Sequence, residues 1–84
     1  MGTRKIRIYT RSWCEDSREV KKFLLERNLP FEEIDIERSP QACEFVLRTN
    51  EGKERTPTLE ADGRDFHCSP FDEQKLIREL HLEK

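Results

Sequence analysis

No run of large apolar residues in this chain exceeds three, Phe23 to Leu25 being one of them. A bilayer-spanning helix needs roughly 20, so no membrane segment is expected. The N-terminal stretch carries charge but no apolar core, and so does not read as a secretory signal. Cysteine is also scarce, with only three, an odd number. A small secreted scaffold stapled by disulfides draws on an even set, which makes a reducing cytoplasm the expected setting. The cysteines stand singly at Cys14, Cys43 and Cys68, and the two histidines are His67 and His81. That spacing offers no zinc pattern, and no metal is expected. An excess of one charge is missing as well: the net charge is −2, with both signs interleaved along the chain. Without a basic stripe to neutralise phosphates, nucleic acid is not expected as a partner.

What is present is a polar but foldable chain. Charged residues make up 40% of it and hydrophobic ones 33%. Leu, Ile, Val and Phe together number 20 of 84, above the roughly one-fifth below which a highly charged chain stays unfolded. Eighty-four residues suit one small domain, expected to span 1–84, with no repeat, linker or low-complexity segment.

Periodicity divides the chain into elements. Lys5 to Thr10 alternates polar and apolar residues and predicts a strand. Val20, Phe23 and Leu24 then fall on one helical face, with Arg18, Lys21, Lys22 and Glu26 opposite, and Asn28 before Leu29-Pro30 ends that helix. Phe31 to Ile36 predicts a second strand. Ser39-Pro40 reads as a cap and first helical position, followed by Ala42, Phe45, Val46 and Thr49 at helical spacing. A polar loop from Asn50 to Arg55 leads to a hairpin, Thr58 to Ala61 and Arg64 to His67, turned by Asp62-Gly63. Ser69-Pro70 repeats the cap signature, with Asp72 at the third helical position, and Leu76, Ile77 and Leu80 supply the face of a last helix. The order is β-α-β-α-β-β-α, an α/β chain. A right-handed crossover should make the first two strands parallel, the hairpin should add an antiparallel pair, and helices should cover both sheet faces.

Cys14 sits where the first strand passes into the first helix. A helix N-terminus carries free N–H groups and a positive partial charge, which favour a thiolate. Arg11 adds positive charge, while Glu15 and Asp16 oppose it, and the balance stays open at this stage. The pairs Glu15-Asp16 and Glu32-Glu33 read as solvated faces, Cys43 as a peripheral packing residue, and His67 as an exposed strand-end histidine, the alternative being a proton donor to a leaving thiolate.

Three landmarks in order, IYTRSWCEDS, NLPFEEIDIERSP and RTPTLEADG, make nearly the whole chain resemble a glutaredoxin of the thioredoxin superfamily, close to mycoredoxin-like bacterial redoxins. The resemblance implies a thioredoxin-like (glutaredoxin) fold with a four-stranded mixed sheet flanked by three helices. It also implies a thiol-disulfide oxidoreductase that reduces mixed disulfides in cell redox homeostasis. Cys14 matches the nucleophile. Ser17 holds the position of a second, resolving cysteine, so the form is monothiol C-x-x-S. Thr56-Pro57 matches the pair with a cis bond that faces the nucleophile. Arg11, Trp13, Cys68 and Ser69 fall where the thiol or substrate is bound.

The implied partners are glutathione or another low-molecular-weight thiol and disulfide-containing proteins, with the chain expected to act as a monomer. Two departures count against glutathione itself. Asp16 replaces a usual tyrosine, and His67-Cys68 stands where a Gly-Gly pair usually meets the ligand. Cys68 reads either as an alternative resolving thiol or as a buried cysteine before a cap. Two other functions remain open: an iron–sulfur cluster-binding monothiol glutaredoxin, disfavoured by Glu15 and Asp16, and a redoxin-fold interaction module with little turnover.

Overall fold

The computed structural model describes residues 6–61 and 63–80. Lys5, Asp62 of the expected Asp-Gly turn and His81 lie outside the described residues. Seven elements follow one another: β1 (Ile6–Thr10), α1 (Glu15–Glu26), β2 (Glu32–Asp35), α2 (Pro40–Thr49), β3 (Thr58–Ala61), β4 (Arg64–His67) and α3 (Glu73–Glu79). The strands form one sheet in the order β2-β1-β3-β4. The β1–β2 pair is parallel, with Ile8 opposite Glu33, and the two pairs involving β3 are antiparallel. This is the expected thioredoxin-like architecture, a four-stranded mixed sheet with three helices.

Alternation along β1 divides the core between the two sheet faces. Ile6 and Ile8 point to one face, where they pack with Val20, Phe23 and Leu24 of α1, Leu59, Phe66 and Cys68, and Leu76 and Leu80 at α3. Tyr9 points to the other face, where it meets Ile36 and α2's Ala42 and Val46 and stacks on Phe45 with ring centroids 4.6 Å apart. Two helices thus cover one face and one covers the other. The period-2 pattern of the strand and the period-3.6 pattern of the helices meet in the same side chains.

Helix boundaries follow from local chemistry. Asn28 adopts a left-handed backbone at φ 56, its N–H reaches Leu25 O at 3.1 Å, and Leu29 N–H reaches Leu24 O at 3.0 Å. That is a Schellman stop, and Leu29 packs on the core cluster that holds Leu24. Ser39 caps α2 as expected, its hydroxyl accepting from Ala42 N–H at 3.2 Å with Pro40 in the first turn. The matching expectation for α3 is corrected. Ser69-Pro70 does not start the helix; its peptide bond is cis, and Asp72, expected inside the helix, is the cap instead, accepting from Lys75 N–H at 3.2 Å. The Ser69 hydroxyl is engaged elsewhere, on Asp16 at 3.4 Å.

Candidate functional site

Cys14 occupies the N-cap position of α1 with extended backbone and no side-chain cap bond. A tight turn delivers it there, Cys14 N–H donating to Arg11 O at 3.1 Å. An N-cap residue ordinarily offers an oxygen to the N–H groups two and three positions on. Here sulfur faces those groups, on Asp16 and Ser17. Burial pushes the thiol pKa up, but the Ser17 and Thr56 side chains and the backbone N–H groups of Ser17 and Asp16 outweigh it, and the net shift is downward. The balance left open by the sequence therefore falls on the thiolate side.

Arg11 contributes less directly than expected. Its guanidinium pairs with Glu54 and lies 5.3 Å from the centre of the Trp13 ring, while its Nε is buried without a hydrogen-bond partner among the described residues. Trp13 itself is 64% exposed, and its ring nitrogen donates to Glu37 at 3.1 Å. It presents a broad apolar surface one residue from the sulfur.

Ser17 is 1% exposed, and its hydroxyl has no partner at hydrogen-bonding geometry among the described residues. A buried hydroxyl left unsatisfied is costly. This one stands near enough to Cys14 to lower its pKa, so ionisation of the thiol supplies the acceptor that the hydroxyl lacks. The neutral thiol, by contrast, donates to Thr56 O at 3.4 Å. Thr56-Pro57 is cis, as the resemblance implies, and its carbonyl faces the nucleophile from the loop that opens β3.

Asp16 is no solvated carboxylate. Its two oxygens accept from Phe71 N–H at 3.2 Å and Ser69 Oγ at 3.4 Å, tying the first turn of α1 to the loop before α3. Sequence reasoning missed this link because its ends lie more than 50 residues apart, and only the fold brings them together. Glu33 likewise accepts from Thr10 and from Lys21, each at 2.9 Å.

Cys68 returns to the neighbourhood of Cys14 through its backbone, its N–H donating to Pro57 O at 2.9 Å. Its sulfur turns into the core at 0% exposure, accepting from Asp72 N–H at 3.3 Å. Burial raises its pKa. The placement matches the buried-cysteine reading rather than an open resolving thiol. Cys43 packs at the margin of the α2 core, its thiol 3.7 Å from Glu54. His67 is half-buried rather than exposed. Burial first, then Lys75 and Arg55, lower its pKa, and Ser69 N–H donates to its Nδ1 at 3.4 Å. With Nδ1 accepting, the ring hydrogen lies on Nε2.

A low-pKa cysteine capping the first helix of a βαβ unit, opposite a cis-proline loop, defines a thioredoxin-fold thiol protein. Comparison with known proteins makes this more specific. The glutaredoxin family model matches residues 6–66. A Mycobacterium tuberculosis protein named as a candidate glutaredoxin is 37% identical over 76 residues, covering 89% of this chain and 90% of that protein. The glutaredoxin-like protein NrdH of Lactococcus lactis is 30% identical over 73 residues, covering 87% and 96%. Among solved structures, the Escherichia coli NrdH-redoxin superposes with a TM-score of 0.65 at 32% identity, over 75% of this chain and 80% of that one. The thioredoxin-like protein BC3987 superposes with 0.70 at 30% identity, over 87% and 96%. The chain belongs to the glutaredoxin family, whose members are thiol-disulfide redox proteins. Among the described residues, no helix is long and apolar enough to cross a membrane, and no three His, Cys, Asp or Glu side chains cluster as metal ligands do.

Proposed function

We propose that the protein reduces mixed disulfides by a monothiol route, with Cys14 as the nucleophile and a low-molecular-weight thiol as co-substrate. The observation that carries this is the capping geometry: a thiol facing two helix N–H groups and the buried, unpartnered hydroxyl of Ser17. The Cys14 thiolate attacks the small-thiol sulfur of a mixed disulfide between that thiol and a substrate protein. The S–S bond breaks, the substrate sulfur leaves as thiolate and takes up a proton, and Cys14 keeps the small thiol as a new disulfide. A second small-thiol thiolate attacks the small-thiol sulfur of that adduct, giving the oxidised small thiol and free Cys14 thiolate. Ser17 cannot resolve the adduct; its role is to hydrogen-bond the thiolate in both its attacking and leaving states.

Thr56, Pro57, Trp13 and Ser69 frame the approach. Once Cys14 has ionised it no longer donates to Thr56 O, and that carbonyl is free to accept from a bound disulfide's backbone in one rung of antiparallel pairing. Trp13 supplies apolar contact area. A monomer in a reducing cytoplasm fits these roles.

The test is mass spectrometry after exposure to a peptide carrying a small thiol in mixed disulfide. The expected product is the free peptide, with the small thiol on Cys14, and Cys14→Ser should give neither. Transfer of the peptide itself to Cys14, or modification of Cys43 in its place, would overturn the reading.

A further inference from the structure

Asp16 stands two positions after Cys14, where a carboxylate works against a thiol that has to ionise. The thiol chemistry above makes no use of its side chain. Yet both of its oxygens are engaged, accepting from Phe71 N–H at 3.2 Å and from the Ser69 hydroxyl at 3.4 Å. Those two donors belong to a strap, residues 68–71, that runs from the end of β4 to Asp72, the cap of α3. The strap's first residue is held at the loop facing the nucleophile. There Cys68 N–H donates to Pro57 O at 2.9 Å, one rung beyond the last β3–β4 pair, Thr58 with His67.

These contacts close a ring that includes the reactive sulfur. From Cys14 it follows the first turn of α1 to Asp16, crosses to Ser69 and Phe71, and returns through Cys68 to Pro57. It meets the sulfur again at Thr56 O, 3.4 Å from the thiol. The β3–β4 ladder ends at Thr58, and beyond it the strap links the cis-proline loop to the nucleophile's own helix.

We propose that Asp16 is a positioning residue: by anchoring the strap it fixes the Thr56 carbonyl against Cys14, and so gives the protein a preference for disulfides borne on a peptide backbone. The inference rests on the monothiol reading and names what sets its substrate class. A rung of pairing at Thr56 helps a partner only where it stands in register with the sulfur. A carbonyl held there in advance does not have to be ordered by the substrate. A carboxylate suits the anchor because its bonds to the strap are charge-assisted, and both are in place before a substrate arrives.

The experiment uses two uncharged symmetrical disulfides. That of N-acetylcysteine N-methylamide offers backbone N–H and C=O groups, and hydroxyethyl disulfide offers neither. Rates of adduct formation on Cys14 are normalised to the rate of each disulfide with free N-acetylcysteine N-methylamide. The wild-type protein should favour the backbone-bearing compound by roughly two- to tenfold, the worth of one net hydrogen bond. Asp16→Ala should bring the ratio close to one. Asp16→Asn, whose amide oxygen still accepts from Phe71 N–H, should keep most of it. Amide exchange gives a second readout. In Asp16→Ala the Cys68 N–H should quicken more than the amides of β1, whereas a loss of overall stability would quicken both alike. A wild-type ratio near one, a ratio unchanged in Asp16→Ala, or one lost equally in Asp16→Asn overturns the proposal. If neither disulfide reacts with wild-type Cys14, the monothiol reading has failed, and the exchange of Cys68 N–H decides whether Asp16 anchors the strap without it. An unchanged rate there removes the anchor as well.

Discussion

At the scale of single residues, the chemistry turns on what a cap position asks of its side chain. Oxygen-bearing caps satisfy the first N–H groups of a helix in every state, whereas a cysteine does so fully only when ionised. Ser17 sharpens this difference because its buried hydroxyl gains an acceptor when the proton leaves. Ser17→Ala is therefore expected to raise the Cys14 pKa toward the ordinary thiol value. At neutral pH the thiolate fraction falls and alkylation by iodoacetamide slows several-fold, whereas at a pH above both pKa values the two proteins should converge. A uniform rate difference at all pH values would place Ser17 outside the ionisation. In the wild-type protein Cys14 should label before Cys43, and Cys43 before Cys68. The nucleophile was legible in sequence because its neighbours, Trp13 to Ser17, are local. The direction of its pKa shift was not, because one of the groups that lowers it, Thr56, reaches Cys14 from across the fold.

At the scale of elements, the Ser-Pro dipeptide occurs before two helices with different results. Ser39 caps α2 because its hydroxyl is free to take Ala42 N–H. A helix starting at Pro70 would need the Ser69 hydroxyl for the same task, but that hydroxyl bonds Asp16, and the helix begins only where Asp72 offers its own carboxylate. A local signature cannot reveal that a distant residue has claimed the capping atom. Asp72→Ala should cost about 1 kcal/mol of stability, read as a lower urea midpoint with an unchanged slope. Ser39→Ala should cost a similar amount. An unaffected midpoint for Asp72→Ala would return the start of α3 to Ser69.

The link between α1 and β2 has a pH signature. Lys21 holds the Glu33 pKa below its ordinary value of 4.5, against the effect of burial and with help from Thr10. A carboxylate with a lowered folded-state pKa contributes stability above its unfolded value, and that contribution is lost as pH falls through the folded value. The pair is partly exposed, so the effect is small, on the order of a few tenths of a kcal/mol. Lys21→Gln should remove it near neutrality and leave stability at the acid end nearly unchanged.

At the scale of the whole molecule, the hydrophobic pattern anticipated the order of the elements, the two-sided core and the helix faces, since Ile6, Ile8, Val20 and Leu24 each obey the period of their own element, whereas the place of β3 beside β1 came only with the structure. Cys68 escaped that pattern. It follows a four-residue strand, outside any periodic run, and only the packing of α1 and α3 against the sheet shows that its sulfur belongs to the larger core. With Ile6, Leu59, Leu76 and Leu80 in the same cluster, no local fluctuation of one loop uncovers it. Its modification by a bulky thiol reagent should therefore require global unfolding. The labelling rate should rise with urea, its logarithm having a slope equal to that of the equilibrium unfolding transition. It should also rise in Leu24→Ala, which loses about 2–5 kcal/mol of core packing, while the labelling of Cys14 in native protein changes little. A Cys68 rate independent of urea would mean that the loop before α3 opens by itself. The sulfur would then be within reach of oxidants in the folded state, and its role as an alternative resolving thiol for Cys14 would reopen.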